Sequence, residues 1–559
     1  MSGFFQEAPE LDNQYSSDKL LKAYIETNIP PDISDHIEKD LLNLGHRVVS
    51  DILKISQDAE ANPPQHIPYD AWGKRIDKIK VSNAWLELDK ISAQEGMISI
   101  GYGRKYKEFS RLYQFAKLYL FNPSSAFYTC PLAMTDGAAK LIETYGDDFL
   151  KNEVYTHLIY DKPEEFWTSG QWMTERAGGS DVGKTETIAR FENGKYKLYG
   201  TKWFTSATTS QISFTLARIE KDGKLIEGSK GLSLFFVKVH DDKGDLNNIV
   251  IHRLKDKLGT KALPTAELTL EGTEATLIDG EGNGIKKIAT LFNVTRIYNA
   301  TTSIALIRRA IALSRDYAKK RHAFGKNLDQ QALHIETIAN MEVEFQAAFQ
   351  AVFYTVSLLG KEENHKASED EKTILRLLTP LIKLYTAKQS IKVISESLES
   401  FGGAGYIEDT GLPKMLRDTQ VLAIWEGTTN VLSLDVLRAI ARENAFPPFI
   451  KNIEERIEKI SDNLKDQKEK VKQAVESVKN YLAKSTTQDK DFSEAGARNL
   501  AFSLMQIFMA SLLLEFAEKV DNDKEFFTVI AKRWCERDLD ITKDTNEDYR
   551  NDSKLIAFY

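Results

Sequence analysis

Hydrophobic positions change their spacing along this 559-residue chain, and the changes divide it. Up to about residue 165 the apolar residues recur every three to four positions, the spacing that puts them on one face of an α-helix. Residues 37–55 and 110–120 are the clearest cases, with Pro30-Pro31 marking a start and Pro63-Pro64 a break. From about 170 to 280, short runs rich in Thr, Phe, Tyr and Val take over. The turn pairs Asn193-Gly194, Asp222-Gly223 and Asp279-Gly280 punctuate them, and residues 195–203 and 232–239 read as strands. Helical spacing returns from about 294 to 442. Ile297, Ala300, Ile304, Ile307 and Ile311 form one stripe, and long helices are predicted over 334–359 and 372–398. A last segment repeats the pattern through Ile450, Ile453, Ile457, Ile460 and Leu464, then Val471, Val475, Val478 and Leu482. Its opposite face is dense in Lys, Glu and Asp.

The pattern predicts an α+β protein, mainly α. An N-terminal helical domain spans 1–168, a central β domain 169–288, a helical bundle 289–444 and an additional C-terminal helical domain 445–559. A chain of this length exceeds one compact core.

Composition narrows the function classes. Hydrophobic residues make up 42% and charged residues 28%, an ordinary globular balance. The net charge of −8 gives no overall attraction to nucleic acid or anionic membranes. Cys130 and Cys535 are the two cysteines, which form neither a disulfide framework nor a metal-ligand cluster; no metal site is expected. No apolar run reaches the roughly 20 residues of a membrane span. The first residues are polar, with Glu7, Glu10, Asp12 and Asp18, and resemble neither a transit peptide nor a secretory signal. A cytoplasmic location is the expectation, or a mitochondrial one if a presequence has been removed.

Three segments can carry chemistry. Trp172-Met173-Thr174-Glu175-Arg176-Ala177-Gly178-Gly179-Ser180-Asp181 lies where helices give way to strands. Consecutive glycines let backbone N–H groups converge on an anion such as a pyrophosphate, although an ordinary Gly-rich turn has the same composition. No GxGxxG opens a βαβ unit here. Thr201-Lys202-Trp203-Phe204-Thr205-Ser206 sets an indole beside a hydroxyl, suited to a flat heteroaromatic ring or to a β core. The third runs from Ser400-Phe401-Gly402-Gly403-Ala404-Gly405-Tyr406 through Arg417-Asp418 to Ile424-Trp425-Glu426-Gly427-Thr428-Thr429-Asn430. Burial of Glu426 among apolar and aromatic neighbours would raise its pKa and suit a general base; capping or ion pairing is the plainer use of a carboxylate.

Taken together and in this order, the segments resemble the acyl-CoA dehydrogenase family over about residues 130–440. The bridging Arg321-His322-Ala323-Phe324-Gly325-Lys326 matches the family's R-x-x-F-G-K element. The C-terminal region, with Pro131-Leu132-Ala133-Met134-Thr135-Asp136-Gly137, resembles the four-domain branch that contains the bacterial alkylation-response flavoprotein AidB and its eukaryotic homologues.

The resemblance implies FAD as cofactor, held by Met173, Thr174, Gly179, Ser180, Trp203, Thr205, Thr428 and Asn430. It also implies that Arg321, Phe324 and the Gly402-Gly403 backbone reach FAD across a subunit interface. Ser180, Arg296, Gly427 and Arg438 would border a fatty acyl-CoA, of medium to long chain, and Glu426 would be the catalytic base for α,β-dehydrogenation, with a hydride passing to flavin N5. A homo-oligomer is implied, a tetramer built as a dimer of dimers, with an electron-transfer flavoprotein as a possible acceptor. Four positions depart from the family pattern: Trp425 stands for a common Tyr, Asn430 for Gln, Ala323 for a hydroxyl residue and Asn293 for Asp. Thr295 occupies the helix on which some members carry their base. Two rival readings are a low-turnover flavoprotein that sequesters acyl-CoA and a nucleic-acid-associated alkylation-response protein. Acidic residues slightly outnumber basic ones in the C-terminal region, which disfavours the second.

Overall fold

In the computed structural model, residues 5–559 are described; the first four residues of the expected N-terminal domain lie outside them. The chain forms two compact units. One comprises residues 46–105 and 120–298, the other residues 5–45, 106–119 and 299–559.

A seven-stranded sheet lies at the heart of the first unit. Its order is Ser169–Trp172, Ile212–Ile219, Ile188–Glu192, Lys195–Ser206, Thr265–Leu277 and Leu232–Lys238, with Ile249–Leu254 paired to Thr265–Leu277. Leu232–Lys238, at the far end of that order, also pairs with Ile212–Ile219, its second strand. Trp172, Leu198, Phe235, Ile251 and Leu268 point inward as one buried cluster. Asn193 and Gly194 take φ of +52° and +80° between their two strands, the left-handed pair that a tight hairpin needs. The pairing of Lys195–Ser206 with Thr265–Leu277 shifts register between Lys202 and Thr205. That irregularity falls on Trp203-Phe204, and such bulges re-aim side chains.

Two expectations change in the N-terminal part of the chain. Residues 37–55 form two helices, Pro31–Arg47 and Asp51–Ala61, with a turn between them. Ile37, Leu41, Leu44, Val48 and Ile52 are all fully buried, so the apolar period continues through a backbone break that it cannot report. Residues 65–80, placed in a mostly helical region, form a β-hairpin of Gln65–Tyr69 and Arg75–Lys80. Asp77 anchors it: the carboxylate accepts from Arg75 Nε at 2.7 Å and from the Ile251 backbone N–H at 3.1 Å.

The second unit is helical. Ala332–Glu363 packs on Glu369–Ser400, which packs on Thr429–Glu443. Ser368 and Glu371 close a reciprocal cap at the start of Glu369–Ser400. Ala300, Ile304, Ile307 and Ile311 of helix Gly284–Lys320 are buried here, as the stripe predicts. The C-terminal residues add Phe446–Glu458, Lys465–Ser485, Lys490–Lys519, Lys524–Cys535 and Glu547–Ala557. Lys490–Lys519 is long and apolar enough to cross a membrane, but 83% of its most apolar window is buried within the protein. It packs against Thr429–Glu443, Ala332–Glu363 and Lys524–Cys535, so its apolarity serves a core.

Candidate active site

In the β-rich unit, strand Ser169–Trp172 delivers the first segment. Met173 is buried and Thr174 half-buried, and Glu175 and Gly178 exchange backbone hydrogen bonds of 3.2 Å around a turn. The Trp203 N–H donates to the Thr174 carbonyl at 2.9 Å, which brings the first two segments side by side. A Cβ on Gly179 would come within 3.0 Å of the Thr174 side chain, so glycine there permits the close approach. Ser180 is exposed.

Beneath this contact lies a buried ion pair that the sequence reading leaves unassigned. Lys202 Nζ meets Glu175 Oε1 at 2.6 Å. Glu175 also accepts from Thr187 Oγ1 at 2.5 Å and the Glu186 N–H at 2.6 Å. Burial opposes its ionisation, but the Lys202 charge and these bonds outweigh that and hold its pKa below the ordinary glutamate value.

Trp203 is half-buried, with Lys255 Nζ 3.4 Å from its ring centre and Arg176 Cζ 4.9 Å away. Both cations, with Arg253, bind Glu267 at 3.1 Å each. Thr205 is buried and its hydroxyl donates to the Ala266 carbonyl at 2.8 Å, so it offers lone pairs to a ligand rather than its proton. Arg296 is half-buried on helix Gly284–Lys320.

In the helical unit, Glu426 sits on a turn between Val421–Ala423 and Thr429–Glu443. It is half-buried, less enclosed than the sequence suggests, and its backbone is left-handed at φ +58°, followed by Gly427 at +104°. Lys383, fully buried, donates to the Gly427 carbonyl at 2.6 Å. Thr428 precedes the first helical residue without using its hydroxyl as a cap, and Asn430 is exposed in the first turn. Arg438 lies further along the helix, 56% exposed and paired with Asp435 at 3.3 Å, so the structure separates it from the Glu426–Asn430 turn.

Gly402 is left-handed at φ +60°, and a Cβ on Gly402 or Gly403 would meet no atom within 4 Å. Arg321 bonds Gln6 at 3.1 Å and leads into a hairpin of His322–Ala323 and Lys326–Asn327. At its tip Phe324 is 98% exposed and left-handed at φ +51°.

Each unit, taken by itself, offers groups that suit a flavin nucleotide. Among the described residues, the hydroxyls of Thr174, Ser180 and Thr428 and the Asn430 amide make no internal hydrogen bond. The Gly402-Gly403 backbone is open to approach. Glu175, Lys202, Glu267 and Lys383 escaped the sequence reading. Lys383 alone carried a local signal, a charged residue in the apolar stretch Leu381-Ile382-Lys383-Leu384.

Comparison with known proteins gives a consistent assignment along the chain. Residues 6–161 match the adaptive response protein AidB N-terminal domain, and 170–273 the acyl-CoA dehydrogenase middle domain. Residues 282–441 match the acyl-CoA dehydrogenase C-terminal domain, and 444–556 the acyl-CoA dehydrogenase 11 C-terminal domain-like family. Acyl-CoA dehydrogenase family member 11 of Caenorhabditis elegans is 43% identical over 551 residues, covering 95% of this chain and 89% of that protein. AidB of Escherichia coli is 30% identical over 413 residues, covering 72% and 74%. The crystal structure of Caenorhabditis elegans ACDH-11 in complex with C11-CoA superposes with a TM-score of 0.97 at 41% identity, covering 100% of this chain and 97% of that one.

Proposed function

Because the chain belongs to the acyl-CoA dehydrogenase family, whose members are FAD-dependent oxidoreductases, we propose that it desaturates a fatty acyl-CoA between its α and β carbons with Glu426 as the base. The observation that carries this reading is the backbone at Glu426. A left-handed residue with a side chain costs about 1–2 kcal/mol. Such strain is kept where the surroundings enforce it, and it collects at sites of function.

Glu426 takes the α proton onto its carboxylate. As the proton leaves, negative charge gathers on the thioester oxygen, and the resemblance assigns the Glu426 N–H to that oxygen. A fixed donor of this kind contributes about 2.7–4 kcal/mol. Thr174, Ser180, Thr428 and Asn430 hold the cofactor through side chains that have no internal partner among the described residues. Arg296 and Ser180 border the acyl-CoA, and Arg438 is engaged with Asp435. When bound, FAD supplies the acceptor for the β hydride.

The C11-CoA bound to the worm relative supports a medium-to-long acyl chain. The exposed Phe324 supports a homo-oligomer in which the hairpin is covered by a second copy, a tetramer by family precedent, with an electron-transfer flavoprotein as acceptor.

The test is an anaerobic titration of the FAD-loaded protein with acyl-CoAs of graded length, following flavin absorbance. Wild type should bleach, and Glu426→Gln should keep FAD and acyl-CoA binding while bleaching is abolished. Bleaching of the variant at the wild-type rate would assign the base elsewhere. Tight binding by wild type without bleaching would mark a carrier of acyl-CoA instead.

A further inference from the structure

Two consecutive left-handed residues make the Glu426–Gly427 turn hard to hold. Upstream, the Trp425 N–H is bonded to the Val421 carbonyl at 2.9 Å; downstream, the Leu432 N–H is bonded to the Thr428 carbonyl at 3.0 Å. Both bonds lie outside the peptides from Glu426 to Thr428, on whose orientation the direction of the Glu426 side chain depends.

Helix Glu369–Ser400 supplies a grip at that point. Lys383 is withdrawn from solvent and its ammonium donates to the Gly427 carbonyl at 2.6 Å. Seven residues earlier, and so on the same helix face, Arg376 binds Asp435 at 2.7 Å and Glu443 at 3.1 Å. One face of one helix thus holds the turn and the helix that follows it. Gly427 is confined as well: a Cβ there would lie 2.9 Å from Leu432 Cδ2. A charge-assisted bond is about twice as strong as a neutral one, and a buried donor does not exchange it for water.

We propose that Lys383 is a positioning residue for the catalytic carboxylate: its bond to the Gly427 carbonyl sets the turn from which Glu426 addresses the α carbon. The proposal rests on Glu426 being the base. It also gives a role to a lysine that the helix buries completely. A misplacement of about 1 Å at a reacting group can cost on the order of 100-fold in rate.

The experiment compares Lys383→Met with wild type, all rates referred to bound flavin. The variant should bind FAD and acyl-CoA within about threefold of wild-type affinity and bleach on the order of 100-fold more slowly. Lys383→Arg, which keeps a charged donor, should recover at least tenfold of that loss. Independently of turnover, amide hydrogen exchange in residues 421–430 of the cofactor-free variant should rise at least tenfold, with the rest of the bundle unchanged. Should Lys383→Met fail to fold, Lys383→Gln carries the same expectations. A bleaching rate per flavin within threefold of wild type, or unchanged exchange over 421–430, would overturn the proposal. Failure of the base assignment shows separately, as unimpaired bleaching in Glu426→Gln.

Discussion

The Lys202 ammonium and the Glu175 carboxylate meet at 2.6 Å, both side chains closed off from solvent. One comes from the Gly-rich segment and the other from the strand that carries Trp203, so the pair fastens two elements at the point where Trp203 also bonds Thr174. Lys202 further donates to the Leu216 carbonyl at 3.2 Å. Breaking a buried pair strands a charge, which costs about 3–5 kcal/mol, whereas replacing both members by apolar groups is often near neutral. Lys202→Met should therefore lose about that much stability in denaturant unfolding and release FAD more readily. Lys202→Met combined with Glu175→Leu should recover most of the stability. A double variant no more stable than the single one would show that the pair does not act as a unit.

Glu267 predicts a pH dependence. Burial works against its ionisation, yet hydrogen bonds from Lys255, Arg253 and Arg176 hold its pKa down to about 2. The folded pKa lies below the unfolded one, so the stabilisation is complete above the ordinary glutamate value near 4.5 and is lost as pH falls from there through about 2. Arg176 and Arg253 are largely exposed, which places the contribution at the low end for charged hydrogen bonds, about 1.5 kcal/mol. Glu267→Gln should be less stable than wild type by that amount at pH 7, with the two converging near pH 2. A difference that widens on acidification would contradict the assignment.

How much of this was legible in sequence depended on the range of the interaction. Ala300, Ile304, Ile307 and Ile311 report a helix face because the signal repeats within one turn of the backbone, and all four are buried. The break after Arg47 left no such trace, since Val48 and Ile52 stay in phase across it. The hairpin at 65–80 depends on Asp77 reaching Ile251, a contact 174 residues away that no local window contains. The site shows the same division. Motif resemblance points to Thr174, Trp203 and Glu426, but the charged side chains bonded beside them, Lys202 and Lys383, act on partners 27 and 44 residues distant.

Phe324 separates assembly from folding. It is 98% exposed within the chain, and its left-handed backbone suits glycine better than phenylalanine. Phe324→Gly should therefore leave the folded subunit unharmed, within about 0.5 kcal/mol or slightly more stable. If the hairpin is seated on a second copy, the same change removes an aromatic anchor, and truncating such an anchor costs about 2 kcal/mol or more of association energy. Light scattering across a dilution series should show the variant dissociating at concentrations where wild type stays assembled. Identical profiles would remove Phe324 from any interface.

Gly403 allows cofactor binding to be probed without disturbing the fold. A Cβ at Gly405 would lie 2.0 Å from the Leu398 carbonyl oxygen, so Gly405→Ala must displace backbone and should destabilise the subunit. At Gly403 the same atom meets nothing within 4 Å and φ is not left-handed, so alanine fits. Gly403→Ala should then hold the cofactor-free stability or raise it by about 0.4–1 kcal/mol, because the unfolded chain loses freedom. If FAD lies against this backbone, the added methyl occupies space the ligand needs, and affinity should fall by on the order of tenfold, about 1.4 kcal/mol. Thermal unfolding of the cofactor-free protein and a fluorescence titration with FAD measure the two effects separately. Unchanged FAD affinity alongside unchanged stability would mean that the open space beside Gly403 belongs to something other than the cofactor.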